Sequence, residues 1–203
     1  MTKIKFCGLT RTGDIEAANE LKPDYIGFVF WPKSKRAVTA GEAKILKSKL
    51  DPSIKAVGVF VDEDMEAVKS LLDGGIIDIA QLHGHEDEDY IYGLKKASGK
   101  PVIKAFRIRS EEDGRQAEES PADMVLLDSG MGTGKTFNWE IIKGVKRPFF
   151  LAGGLAPDNA AEAIRELQPY ALDVSSGIET EGIKDIKKMT DFYEAVRKED
   201  EHD

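Results

Sequence analysis

Two residues of this chain carry acid–base chemistry at positions where a fold can use it. Cys7 ends the apolar run IKFC (4–7), and Asp128 ends the run MVLLD (124–128). A cysteine works as a base or nucleophile only as its thiolate, so nearby cations must draw its pKa down. Lys5, Arg11 and Arg36 are the cations the sequence offers. A carboxyl group on another strand end supplies the complementary acid. Such a pair suits a small substrate held between them, with a proton taken at one end and given at the other. Each partner is typically worth about 10²–10⁴-fold, and neither needs a metal. The plainer reading is an inert buried thiol and a loop-capping aspartate. A shared position at strand ends, on the polar parity in the case of Cys7, favours the chemical one.

The stretch after Asp128, "SGMGTGKTFNW", imitates a phosphate-binding P-loop. That motif needs Gly, four residues, then Gly-Lys-Ser/Thr. Counted back from Gly134, the first glycine would fall on Ser129. Phe137-Asn138-Trp139 then stands where a long helix should begin, and the apolar run that follows stops at Gly144. A Gly-rich mobile loop fits better than a nucleotide cradle. His83, His85 and His202 lack ligand spacing with other donors, and Cys7 has no second thiol, so neither a metal nor a cofactor is expected. Gln81 and His83 are expected to orient a ligand or to fill polar positions inside the fold.

The elements that must position these residues follow a repeated alternation. Strand-like runs recur at 4–7, 25–30, 56–61, 77–83, 101–106, 124–128, 148–153 and 171–176. Helical segments follow many of them, at 14–21, 40–50, 63–74, 157–167 and 183–198. In the third of these, Met65, Val68, Leu71 and Leu72 form one stripe, and Asp73-Gly74-Gly75 stops it. The weakest helices are EEDGRQAEE (111–119), which carries a glycine mid-segment, and the short WEIIKG (139–144). Eight strands alternating with helices at about 25 residues per unit predict a compact single-domain (β/α)8 TIM barrel of the α/β class. An open doubly wound sheet is the rival, but it would carry continuously apolar central strands. Here Lys3, Lys5 and Cys7 alternate with Ile4 and Phe6, Gln81 and His83 with Ala80 and Leu82, and Asp173 and Ser175 with Leu172 and Val174. The barrel is expected to span 1–198, with 199–203 a charged, frayed tail.

In such a barrel the site lies at the C-terminal ends of the strands. Those ends hold Cys7 to Thr10, Phe30 to Arg36, Asp62, His83-Gly84, Arg107, Asp128, Gly153-Gly154 and Ser175-Ser176-Gly177. The loops after strands seven and eight often bind phosphate in this fold. Gly153, Gly154, Ser175, Ser176 and Gly177 are therefore the phosphate candidates, through backbone N–H groups and hydroxyls. The alternative is that these glycines only turn strand into helix.

Bulk properties narrow the partners. A formal charge of −8 argues against a nucleic-acid binder. No apolar run approaches the ~18 residues that span a bilayer, and MTKIKF has no signal-peptide core. One cysteine excludes an internal disulfide and suits a reducing cytoplasm. A small phosphate-bearing molecule is the expected partner, with neither nucleic acid nor membrane, and the chain is expected to be a monomer or a homodimer.

The segments "KFCGLT", "GFVFWPKSKRAV", "VGVFV", "QLHG", "LLDSGMGTGKTFNW", "LAGGLAPDN" and "DVSSGIETEGIKD" together resemble the phosphoribosylanthranilate isomerases of tryptophan biosynthesis. The resemblance covers nearly the whole chain in order, and it implies the Amadori rearrangement of N-(5-phosphoribosyl)anthranilate to 1-(2-carboxyphenylamino)-1-deoxyribulose 5-phosphate. It implies Asp128 as the general acid that protonates the furanose oxygen. It implies Cys7 as the general base at C2, and Arg36 as the partner of the anthranilate carboxylate. It also identifies the pseudo-P-loop as the family's loop after strand six. Many relatives read Ser-Pro-Arg where this chain has Ser34-Lys35-Arg36. Three competing readings are a histidine-pathway or dual-substrate aminoaldose isomerase, a nucleotide-binding protein using 129–136, and a non-catalytic phosphosugar-binding barrel.

Overall fold

The structure is a computed structural model that describes residues 1–128 and 142–201. Eight parallel strands close into a barrel in sequence order, and β1 hydrogen-bonds back to β8. In chain order the elements begin β1 (Lys3–Cys7), α1 (Thr12–Leu21), β2 (Tyr25–Val29), α2 (Ala40–Ser48), β3 (Lys55–Phe60), α3 (Met65–Asp73), β4 (Ile79–Leu82) and α4 (Glu88–Ser98). They continue β5 (Val102–Arg107), α5 (Glu111–Glu119), β6 (Met124–Asp128), β7 (Phe149–Ala152), α6 (Ala160–Leu167) and β8 (Ala171–Val174). A short 3-10 turn (Ser176–Ile178) and a two-stranded hairpin, β9 (Glu179–Thr180) and β10 (Ile183–Lys184), then lead to α7 (Ile186–Asp200). The pseudo-P-loop and the first half of the WEIIKG segment lie outside the described residues.

Strand parity sorts the side chains as the alternation predicts. Ile4, Phe6, Phe28, Leu82, Leu127 and Val174 point outward into the apolar layer beneath the helices. The opposite parity fills the barrel. Tyr25, Val57, Ile79, Ile103, Leu126, Phe150 and Ala171 form a second apolar cluster there. Above it lie Lys5, which is wholly buried, and the buried side chains of Gln81 and Asp173.

Local chemistry explains where the helices start. Asp64 accepts from the backbone N–H groups of Glu66 and Ala67, and Asp87 from that of Tyr90, capping α3 and α4. The helix α5 forms despite Gly114 because Ser110 and Asp113 make a reciprocal capping box. Gly114 and Ala117 are its buried face, and small residues there suit a helix lying close to the barrel. At the other end of the chain, α7 continues two residues beyond the expected boundary, through Asp200. Asp200 accepts from the N–H of Thr2 and from Arg197, while Glu199 pairs with Arg165. Those contacts tie residues 199–200 to the barrel, in contrast to a tail fraying from 199.

Candidate active site

Cys7 ends β1 with its side chain toward the barrel interior, 9% exposed. It owes its seat to Gly27 on β2, where an added Cβ would stand 2.7 Å from the sulfur. Burial, the largest influence, pushes the thiol pKa up, and Asp173 adds to that. Lys5 and Lys184 pull the other way without overcoming it, so the resting group is a thiol. Of the cations expected beside Cys7, Lys5 is one layer below it, whereas Arg11 turns away to Asp14 and the carbonyl of Lys184.

An interior polar layer crosses the barrel beneath Cys7 and reaches Asp128. Lys5 Nζ donates to Asp173 Oδ2 at 2.8 Å and to Gln81 Oε1 at 2.9 Å. Burial, the largest influence on Lys5, favours its neutral form, but the charge and hydrogen bond of Asp173, with the help of Cys7, outweigh it and the net shift is upward. Lys5 is therefore a cation throughout. Because a lysine only donates, the Gln81 oxygen must face it, which aims the Gln81 amide nitrogen at His83 Nδ1, 3.1 Å away. Nδ1 then accepts, and the ring proton sits on Nε2, which faces Asp128 Oδ2 at 3.5 Å. A line of defined polarity thus runs from Asp173 through Lys5, Gln81 and His83 to Asp128.

Arg36 is drawn inward from a loop whose neighbours Lys33 and Lys35 are exposed. Its Nε and Nη2 fork onto the two oxygens of Glu179 at 2.6 and 2.7 Å. Glu179 also accepts from Lys184 Nζ at 2.6 Å. The resemblance gave Arg36 a substrate carboxylate as partner; the structure shows that one edge of the guanidinium is already committed within the protein. Glu179 and Lys184, which the sequence reading had not singled out, sit on the β9–β10 hairpin. The Glu-Gly turn at 181–182, where both residues have positive φ, was its visible signal.

The loops after β7 and β8 are built for close approach. Gly153 and Gly154 have φ of 94° and 66°. Asn159 holds their turn by donating to the Gly154 carbonyl while accepting from the N–H of Ala156. Gly177 lies against the backbone of Leu155, where a Cβ would stand 1.8 Å from the carbonyl oxygen, so its role is to let the two loops meet. The Ser175 hydroxyl donates to the Cys7 carbonyl at 3.0 Å and is thereby tied to the first strand. Ser176 faces the cavity.

A cavity of about 300 Å³ brings Cys7, Arg36, Gln81, His83 and Asp128 together with Gly153, Gly154, Ser175 and Ser176. A thiol, a carboxyl group, a guanidinium and an anion-tolerant pair of loops around one small chamber suit acid–base chemistry on a phosphorylated, carboxylate-bearing substrate. Residues 4–195 match the family described as N-(5'phosphoribosyl)anthranilate (PRA) isomerase. A relative from Thermoanaerobacter sp. (strain X514), named N-(5'-phosphoribosyl)anthranilate isomerase, is 50% identical over 97% of this chain and 98% of its own. This chain belongs to that family. Its activity is the isomerisation of phosphoribosylanthranilate, an aldose–ketose interconversion in tryptophan biosynthesis. The crystal structure of phosphoribosyl anthranilate isomerase from Thermotoga maritima is similar, with a TM-score of 0.89 at 34% identity, covering 98% of this chain and 100% of that one. A further isomerase structure, 33% identical with a TM-score of 0.86 over 98% of this chain and 100% of its own, is a complex with reduced 1-(o-carboxyphenylamino)-1-deoxyribulose 5-phosphate.

Proposed function

We propose that Asp128 and Cys7 are the acid and base of this isomerisation, acting from opposite sides of one chamber. The carboxyl group of Asp128 gives its proton to the furanose ring oxygen as the C1–O bond breaks and the nitrogen lone pair forms the C1=N bond. The carboxylate left on Asp128 is met by the Nε2–H of His83, 3.5 Å away, which stabilises the charge that develops in this step. The Cys7 thiolate then removes the proton from C2, and those electrons form the C1=C2 bond as the iminium is neutralised. The enolamine tautomerises to the aminoketose.

The observation that carries this reading is the shared chamber of Cys7 and Asp128, with Arg36 and the Gly153–Ser176 loops on its wall. The substrate phosphate rests on the backbone of Gly153 and Gly154 and on Ser176, and the anthranilate carboxylate on the edge of Arg36 that Glu179 leaves open. A buried thiol that rests protonated makes the reaction faster as pH rises toward the thiol's pKa. The single cysteine suits a reducing cytoplasm.

The test follows loss of anthranilate-type fluorescence as substrate is consumed, in the wild type, Cys7→Ser and Asp128→Asn. Each substitution is expected to lower kcat by about 10²–10⁴-fold with the fold intact. A wild-type rate in either variant removes that residue from its role.

A further inference from the structure

A second anion site is present in the barrel, and a residue of the chain already fills it. Glu86, in the loop after β4, has a buried side chain on which three donors converge. Its Oε1 accepts from the backbone N–H of Asp62 at 2.8 Å, and its Oε2 from that of Gly84 at 2.9 Å. Lys104 Nζ, itself buried on β5, donates to Oε2 at 2.9 Å. Two backbone N–H groups and a lysine around one carboxylate form the donor set that proteins use to hold a phosphate. The backbone is bent to present it, since Asp62 has a positive φ of 53° without being glycine.

The position of this nest gives it meaning. It lies on the loops after β3 and β4, four strands around the ring from β7 and β8. A groove of about 890 Å³ runs from Glu86, Gly84 and Lys104 past Asp128 to Gly153, Gly154 and Ser176. Arg107 and Arg109, both exposed, line the same groove, where Arg109 faces Asp113.

We propose that Glu86 is a built-in anion that plugs a latent phosphate site, and that it makes the enzyme select sugars phosphorylated at one end only. A sugar carrying phosphates at both ends would bring the second one against a buried carboxylate and find its donors taken. The selectivity rests on the reading that the substrate phosphate binds the loops after β7 and β8; the latent site itself does not.

Calorimetric titration with inorganic phosphate tests the site in wild type, Glu86→Ala and Glu86→Ser, with Glu86→Ala/Lys104→Met as the control. Glu86→Ala is expected to bind one phosphate more than the wild type, and Lys104→Met to weaken that added site by roughly tenfold or more. Glu86→Ser is small enough to vacate the nest and keeps a polar group there, so it covers failure of the alanine variant to fold; it too is expected to gain the site. Equal phosphate counts in wild type and in the folded variants overturn the plug. Failure of the wild type to bind any phosphate overturns instead the reading of the loops after β7 and β8. Competition by fructose 6-phosphate and fructose 1,6-bisphosphate then tests selectivity. The preference for the bisphosphate is expected to rise by roughly tenfold in Glu86→Ala, and an unchanged preference alongside the added site overturns the selectivity.

Discussion

The two ends of the barrel interior are made from the same eight strands and do opposite things. At the N-terminal end, Tyr25, Phe150 and Tyr170 pack edge to face, with ring centroids 5.3 and 5.5 Å apart, and the two tyrosine hydroxyls share a hydrogen bond at 2.9 Å. At the C-terminal end the same inward parity carries Lys5, Cys7, Gln81, His83, Asp128 and Asp173. One end removes apolar surface from water and satisfies its few polar atoms internally. The other stores charge, with Lys5 neutralising Asp173 while one oxygen of that carboxylate, Oδ1, is buried without a hydrogen-bond partner among the described residues. A buried ion pair is a weak source of stability, so the aromatic end must hold the barrel together while the polar end is kept for chemistry.

That division is open to attack from both sides. The largest expected stability effect is at the aromatic end. Phe150→Ala should cost about 3–5 kcal/mol in denaturant unfolding, while kcat per folded molecule stays near wild type. A large fall in kcat would show that the two ends are coupled. At the polar end, Glu179 gives a pH-dependent effect. Burial favours its protonated form most strongly among single influences, but the bonds from Arg36 and Lys184 outweigh it and hold the carboxyl below its ordinary range. A group whose folded pKa is depressed contributes stability above its unfolded value and loses it as pH falls through the folded one. Substrate affinity and thermal stability should therefore both decline below roughly pH 4, and Glu179→Gln should flatten the stability part of that decline. The smallest effect is expected from Tyr25→Phe, which leaves the Tyr170 hydroxyl without its partner. About 0.5–1.5 kcal/mol should be lost, with no change in the rate.

Much of this architecture could be read along the chain because it is written in local periodicity. The strand boundaries agree to within about two residues, since period-two alternation and turn residues bracket each run. For α5 the local signal is the Ser110–Asp113 box, which starts the helix despite Gly114 in its middle. That Cys7, Asp128, Arg36 and the glycine loops share one chamber is legible from their places at strand ends in this fold. The unreadable part is what long sequence separation hides. Lys5 meets Asp173 across 168 residues, and Arg36 meets Glu179 across 143. Nothing local in "GIETEG" says that its first glutamate will fork onto an arginine of the second loop. Nor does "HGHEDED" say which of its carboxylates turns inward; Glu86 does so because the N–H of Gly84, the N–H of Asp62 and Lys104 await it, and the last two come from other places in the chain.

The most direct test of the acid–base assignment is the dependence of kcat/KM on pH in the wild type and in Cys7→Asp. If the group on β1 takes the proton from C2, the ascending limb in the wild type belongs to the thiol. An aspartate there should restore turnover well above that of Cys7→Ser. It should also move the limb toward acid by several units, in keeping with the roughly four units between an ordinary thiol and a carboxyl group. An ascending limb at the same pH in both proteins would contradict the assignment and place the base elsewhere in the chamber.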